Sequence, residues 1–184
     1  MSSRAFNNSN VFLLFLLICI VLPKALAQEA KQRAILPDSL ISAAREIISQ
    51  QKYCALVTID SVGRPSIRTM NPFAPESDMT VWMATNSRSR KVGEIRRNPS
   101  VCLYYADHSR ATGYVSITGK AYLVDDMQEK LRHNREYWKQ AFPDWKYLLL
   151  IKVVAEKLEV VNYKRGVVGD GVTGKVPTVR FPAH

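Results

Sequence analysis

Residues Tyr53–Phe73 read Y-C-A-L-V-T-I-D, then S-V-G-R, then P-S-I-R-T-M-N-P-F. Two runs rich in apolar and β-branched residues flank a short turn carrying Gly63, which is the pattern of a β-hairpin. The first strand is expected over Tyr53–Asp60 and the second over Pro65–Phe73, with Ser61–Arg64 as the turn. A hairpin at the centre of the pattern sets an antiparallel sheet as the starting expectation for everything around it.

Upstream, from Pro37, apolar residues recur at Leu40, Ile41, Ala44, Ile47 and Ile48. This spacing predicts an amphipathic helix ending near Tyr53, with Asp38 or Ser39 available as its cap. Downstream, Met79–Ala84 (M-T-V-W-M-A) reads as a third strand and Ser89–Arg97 as a short helix closed by Asn98-Pro99. Ser100–Ala106 and Gly113–Val124 follow as two strands joined by a polar turn. Asp125 or Asp126 then caps an expected long helix through Lys139, with Met127, Leu131, Tyr137 and Trp138 as its apolar side. Tyr147–Tyr163 returns to strand character, and the tail from Lys164 is rich in Gly and Pro. Strands joined mostly by hairpins, with helices set aside, predict an α+β domain that is mainly antiparallel β. Six strands in sequence can curl into a barrel, which removes exposed edges.

Residues 1–27 stand apart from this pattern. Arg4 precedes the apolar run Val11–Leu22, which is followed by Pro23 and Ala25-Leu26-Ala27, the marks of a secretory signal peptide. The run is short of the roughly 20 apolar residues a membrane span needs. The expectation is a signal peptide over 1–27, a single domain over 28–184, and an exported, periplasmic or secreted product with no membrane attachment after cleavage.

The net charge of +10 is barely changed by loss of Arg4 and Lys24 and suits an anionic partner: nucleic acid, an acidic surface or a phosphorylated small ligand. Base-reading and RNA-stacking motifs are absent, so nucleic acid is not expected. No G-x-G-x-x-G follows a strand and no G-x-x-x-x-G-K-[ST] occurs, which leaves Rossmann and P-loop chemistry unsupported. His108, His133 and His184 fall in no metal-ligand spacing with Cys54 and Cys102. Those two cysteines either pair in an oxidising compartment or simply pack, and packing is the favoured reading.

Ala84–Lys91 (A-T-N-S-R-S-R-K) carries the strongest chemical signal. A strand runs into a polar turn and then into a helix opening with Ser89, Arg90 and Lys91. A helix N-terminus offers unsatisfied N–H groups and partial positive charge to a phosphate. Thr85 and Ser89 add hydroxyls, while Arg90 and Lys91 add full charges. Arg68, on the hairpin strand, is expected to lie beside the Met79–Ala84 strand and lean over the Thr85 turn. A capped surface helix with a solvated basic edge is the competing reading, and Arg88, Arg96 and Arg97, which nothing specific selects, fit it best.

With these residues in view, the chain resembles the pyridoxamine 5′-phosphate oxidase-like FMN-binding split barrels, especially their general stress protein branch. The resemblance runs from about Ile41 to Phe181. It rests on C-A-L-V-T-I-D with G-R-P, then R-T-M, T-N-S-R-S-R-K-V, R-R-N-P-S-V-C-L-Y-Y and V-S-I-T-G-K-A-Y-L-V-D-D, in that order. It implies a six-stranded split barrel with flanking helices that works as a homodimer, with FMN at the subunit interface. Arg68, Thr69 and Met70 then stand where the family contacts the flavin, partly through main chain. Thr85 matches the family's strand-end threonine, and Ser89, Arg90 and Lys91 match its phosphate-binding residues.

Departures from the family pattern bear on activity. Ala84 stands where the oxidases proper have an aromatic residue, and Tyr114 where they have a cofactor-reaching glutamine. The tail offers only Arg180 and His184 in place of an R-L-H-type substrate motif. The resemblance therefore implies a flavin-dependent oxidoreductase of unknown substrate rather than a true pyridoxamine phosphate oxidase. The alternative is a non-catalytic module on the same barrel, holding flavin, haem, a deazaflavin or no cofactor. Smaller candidates were expected to be structural: Trp82, Tyr104 and Tyr105 in packing, His108 in a solvated turn, and Trp138 and Trp145 as anchors of the second helix and its loop.

Overall fold

The computed structural model describes residues 37–182. The signal-peptide expectation over 1–27 and the tail residue His184 lie outside the described residues.

Helix α1 spans Pro37–Ser49 and buries Leu40, Ala43, Ala44, Ile47 and Ile48. It already begins at Pro37, which suits the first helical turn, so Asp38 lies inside that turn rather than capping it. Strands β1 (Cys54–Ile59) and β2 (Pro65–Met70) form the expected hairpin, paired from Cys54 opposite Met70 to Ile59 opposite Pro65. Gly63 turns it with φ +83, a left-handed conformation that glycine adopts at no steric cost. Strand β3 (Val81–Asn86), helix α2 (Arg90–Arg97), β4 (Ser100–Ala106) and β5 (Gly113–Val124) follow. The long β6 (Leu148–Asn162) completes the set, and a short β7 (Thr178–Arg180) in the Gly/Pro-rich tail pairs with it.

The sheet order is β2-β1-β4-β5-β6-β3, antiparallel throughout, with β7 added beside β6. This is the expected α+β split barrel. The ends of the path, β2 and β3, meet only at an isolated bridge between Pro72 and Met83, where Phe73 N–H also donates to Trp82 O at 2.8 Å. The expectation that Arg68 lies in a strand beside β3 is therefore corrected: β2 pairs with β1. Between β5 and β6 the register shifts at Thr118/Gly119. A Cβ on Gly119 would stand 1.9 Å from Val154 O, so this crossing tolerates no side chain.

Alternation sorts the sheet into two faces. Leu56, Leu103, Tyr105, Val115, Ile117, Ile151, Val153 and Leu158 fill the interior with the apolar face of α1. β3 and the start of β6 are buried on both sides, and their second face builds a smaller cluster of Trp82, Trp138, Leu148 and Leu150. That explains the unbroken apolar runs at 81–84 and 148–151.

The expected long helix to Lys139 is two short ones, α3 (Met127–Arg132) and α4 (Trp138–Ala141), although Asp126 does cap the first by accepting from Glu129 N–H. Met127, Leu131 and Tyr137 are exposed, and the buried groups are Lys130, His133 and Trp138. His133 stacks on Trp82 at 4.5 Å, and Phe73 meets both His133 and Trp138 edge-on. Five residues of continuous helix would put His133 and Trp138 about 140° apart, so the break is what lets both reach one aromatic cluster. Trp138 and Trp145 do anchor this region.

Candidate functional site

Strand β3 delivers Thr85 to the barrel end and the chain turns through Asn86–Ser89 into α2. Ser89 is the residue preceding the helix, yet its hydroxyl caps no helix N–H. It faces Thr85 Oγ1 at 3.1 Å, and Lys91 Nζ donates to the same Thr85 oxygen at 3.1 Å. Thr85 is buried and Lys91 half-buried. Thr85, Ser89 and Lys91 thus converge on one point at the positive end of the helix. Arg90 opens the helix and is exposed.

Arg68 joins from the opposite end of the sheet path. On β2 it points to the interior side, opposite Leu56, and donates to Thr58 Oγ1, to Ser66 Oγ at 2.6 Å and to Glu94 Oε2 at 2.8 Å. Glu94, one turn into α2, also accepts from the Thr58 hydroxyl at 2.5 Å. Burial alone would raise the Glu94 carboxyl, but the Thr58 hydroxyl and Arg68 guanidinium hold it below the usual carboxylate range. Lys91 is held below the ordinary lysine value, first by burial and then by the positive charge of Arg68, with Glu94 opposing. Glu94 went unnoticed in the sequence. A lone glutamate in a charged helix carries no signal until the fold aims it inward.

Thr69 and Met70 complete the named set. Met70 is buried and Thr69 exposed on the outer face. β2 ends the sheet path, so its second edge pairs with no further strand apart from the Pro72 bridge. On the outer face, Ile67 and Cys102 both lie opposite Val57, and Tyr104 lies opposite Ala55. Ile67 is 68% exposed. Tyr104 has Tyr114 at 5.6 Å and stacks with His108 at 6.1 Å. Tyr105 and Trp82, by contrast, are buried in packing.

The structure brings Arg68, Thr85, Ser89 and Lys91 together through shared partners and mutual charge, with Arg90 next in line. Arg88 leaves the group and stacks on the Tyr147 ring at 3.8 Å, while Arg96 and Arg97 are exposed. Among the described residues no cluster of metal-ligating groups occurs, and no helix is long and apolar enough to cross a membrane.

Comparison with known proteins agrees with this fold. The profile of the family described as pyridoxamine 5′-phosphate oxidase matches residues 40–164. Among solved structures, the fold is similar to a protein related to general stress protein 26 from Clostridium acetobutylicum, at 18% identity and TM-score 0.65. That match covers 79% of this chain and 96% of the other. General stress protein 26 from Bacillus anthracis matches at 20% identity and TM-score 0.60, covering 76% and 97%. A heme binding protein from Mycobacterium smegmatis shares the fold at 12% identity and TM-score 0.56, covering 75% and 56%. No curated protein matches the sequence significantly.

Proposed function

The chain belongs to the pyridoxamine 5′-phosphate oxidase family, and from that premise we propose that it binds FMN and works as a flavin-dependent oxidoreductase on a substrate other than pyridoxamine phosphate. The observation that carries this reading is the turn into α2. A serine at the cap position leaves its helix N–H groups without a side-chain partner, and its hydroxyl sits with Thr85 and Lys91 instead. That donor set fits a phosphate, with Arg90 adding a charge from the helix start. Thr69 and Met70, on the strand that ends the sheet path, are the residues that would line the flavin. When bound, FMN supplies the redox chemistry, and the protein's part is to hold and orient it.

The same reading makes the protein a homodimer. The outer face of β1, β2 and β4 carries Val57, Ile67, Cys102 and Tyr104 in a half-exposed patch beside the proposed site. Contiguous apolar surface of this kind marks an interaction face, and a second copy would cover it. The expected leader places the product outside the cytoplasm.

A second reading is favoured by the Tyr104–Tyr114–His108 group on that face. Two aromatic rings with an imidazole suit a planar macrocycle, so the alternative is a non-catalytic haem- or flavin-binding module. The visible absorption of the purified protein, followed by FMN titration, decides between flavin and haem, and turnover with a reductant or electron acceptor separates an enzyme from a non-catalytic module. Arg90→Ala/Lys91→Ala should cost about 3 kcal/mol or more of FMN affinity. Equal uptake by wild type and the double variant, or a haem spectrum, sinks the FMN assignment.

A further inference from the structure

Three cations and one carboxylate meet where β2, β3 and α2 converge. Arg68 comes from β2, Arg90 and Lys91 from the first turn of α2, and Glu94 from the next turn of the same helix. Glu94 is 5% exposed and accepts from Thr58 and Arg68. We propose that Glu94 tunes how tightly this site holds its ligand, as an internal counter-ion that competes with the ligand's phosphate for Arg68 and weakens the hold on dianionic phosphate monoesters more than on monoanions. This rests on the phosphate-binding reading above but concerns a residue that binding phosphate does not itself require.

The argument is one of charge. Without Glu94 the site would hold three positive charges, and with it a net two. A phosphate monoester carries between about −1.5 and −2 at neutral pH, which closes that balance. A sulfate ester or a phosphodiester carries one negative charge, so it gains less from the cations and also loses less to Glu94. Nor is the carboxylate a bystander whose charge vanishes on burial, since its hydrogen bonds keep it ionised. Around Lys91 stand Thr85 from β3, Arg68 from β2, and Arg90 and Glu94 from α2, and of the charged groups only Glu94 favours its protonated form. Glu94 thus keeps the empty site compatible with three neighbouring cations while repelling whatever anion enters.

Those two effects oppose each other, which gives the test its sign. Glu94→Gln keeps shape and an acceptor oxygen for Arg68 but removes the charge. In the full chain, FMN and riboflavin titrations followed by flavin fluorescence isolate the contribution of the phosphate. The variant is expected to melt at lower temperature, to bind FMN about tenfold more tightly, and to bind riboflavin as wild type does. Phenyl phosphate should displace FMN from wild type better than phenyl sulfate, and the variant should widen that gap. Unchanged or weaker FMN binding by the variant, with FMN still preferred over riboflavin in wild type, overturns the inference and leaves the functional reading standing. Equal displacement of FMN from wild type by the two phenyl esters overturns it even if the variant does not fold. Wild type that binds FMN no better than riboflavin overturns both.

Discussion

Arg68 and Glu94, 26 residues apart in the chain, meet at 2.8 Å and tie the edge strand β2 to the helix that opens the candidate phosphate site. Their side chains are 16% and 6% exposed, so the pair is shielded enough from water for its loss to be felt.

Removing the cation strands a buried charge. Arg68→Ala leaves Glu94 with the Thr58 hydroxyl alone, and an uncompensated buried partner of this kind costs about 3–5 kcal/mol. Urea unfolding of the variant should show a loss of that size. A loss below about 1 kcal/mol would mean that Glu94 takes up a proton or a new partner.

The same pair makes stability depend on acid. Glu94 has a folded-state pKa below its unfolded value, so its contribution is complete above the ordinary glutamate value of about 4.3 and is lost as pH falls through the folded value. Glu94→Gln should therefore flatten the stability profile below about pH 4.3, beyond what the shared carboxylates impose. Parallel melting curves of the two proteins from pH 7 to pH 3 would refute this.

Alkali acts on the other arm of the site. Burial and the charge of Arg68 hold Lys91 below the ordinary lysine value, so it loses its proton before the usual value of about 10.4. FMN affinity should fall as pH rises toward that value, and Lys91→Arg, which stays charged, should remove the fall. Dissociation constants measured from pH 7 to pH 10 check both.

The two described cysteines will not pair within one chain. Cys54 faces the interior, whereas Cys102 faces outward and lies opposite Val57, three residues further along β1. That spacing is about 10 Å of strand, beyond the roughly 7 Å between Cα atoms that a disulfide allows. Burial pushes the Cys54 thiol up to about 12, so thiol reagents should label Cys102 first, as peptide mapping of the folded protein would reveal. An intrachain disulfide under mild oxidation would contradict the register.

Tyr105 holds a buried hydroxyl with no partner at full hydrogen-bond geometry, its polar neighbour being the Cys54 thiol. Deleting an unsatisfied buried polar group removes its desolvation cost, so Tyr105→Phe should stabilise the protein by about 1 kcal/mol. A destabilised variant would reveal a bound water or a bond to the neighbouring Cys54 thiol.

Local pattern carried much of this architecture. The alternation in Ser100–Ala106 and Gly113–Val124 set both strands to the residue, because each has one face on the core and one outside. The apolar face of α1 was legible for the same reason, though Ala43 replaced Ile41 among its buried residues. The helix expected to reach Lys139 failed because its buried face is made by Lys130, His133 and Trp138. Polar residues are buried there by partners on other elements, Lys130 excepted, and periodicity does not record such partners.

The site divides along the same line. Thr85, Ser89, Arg90 and Lys91 are neighbours in sequence, so a strand–turn–helix reading places them at one helix start without further help. What only the tertiary structure decided is where Arg68 goes and what meets it. The sheet path puts β2 beside β1 rather than β3, and α2 brings Glu94 over the hairpin to Arg68 and Thr58. Short-range pattern dictates which groups a segment can offer. Which charge neutralises which depends on contacts between segments far apart in the chain, and those exist only once the barrel has formed.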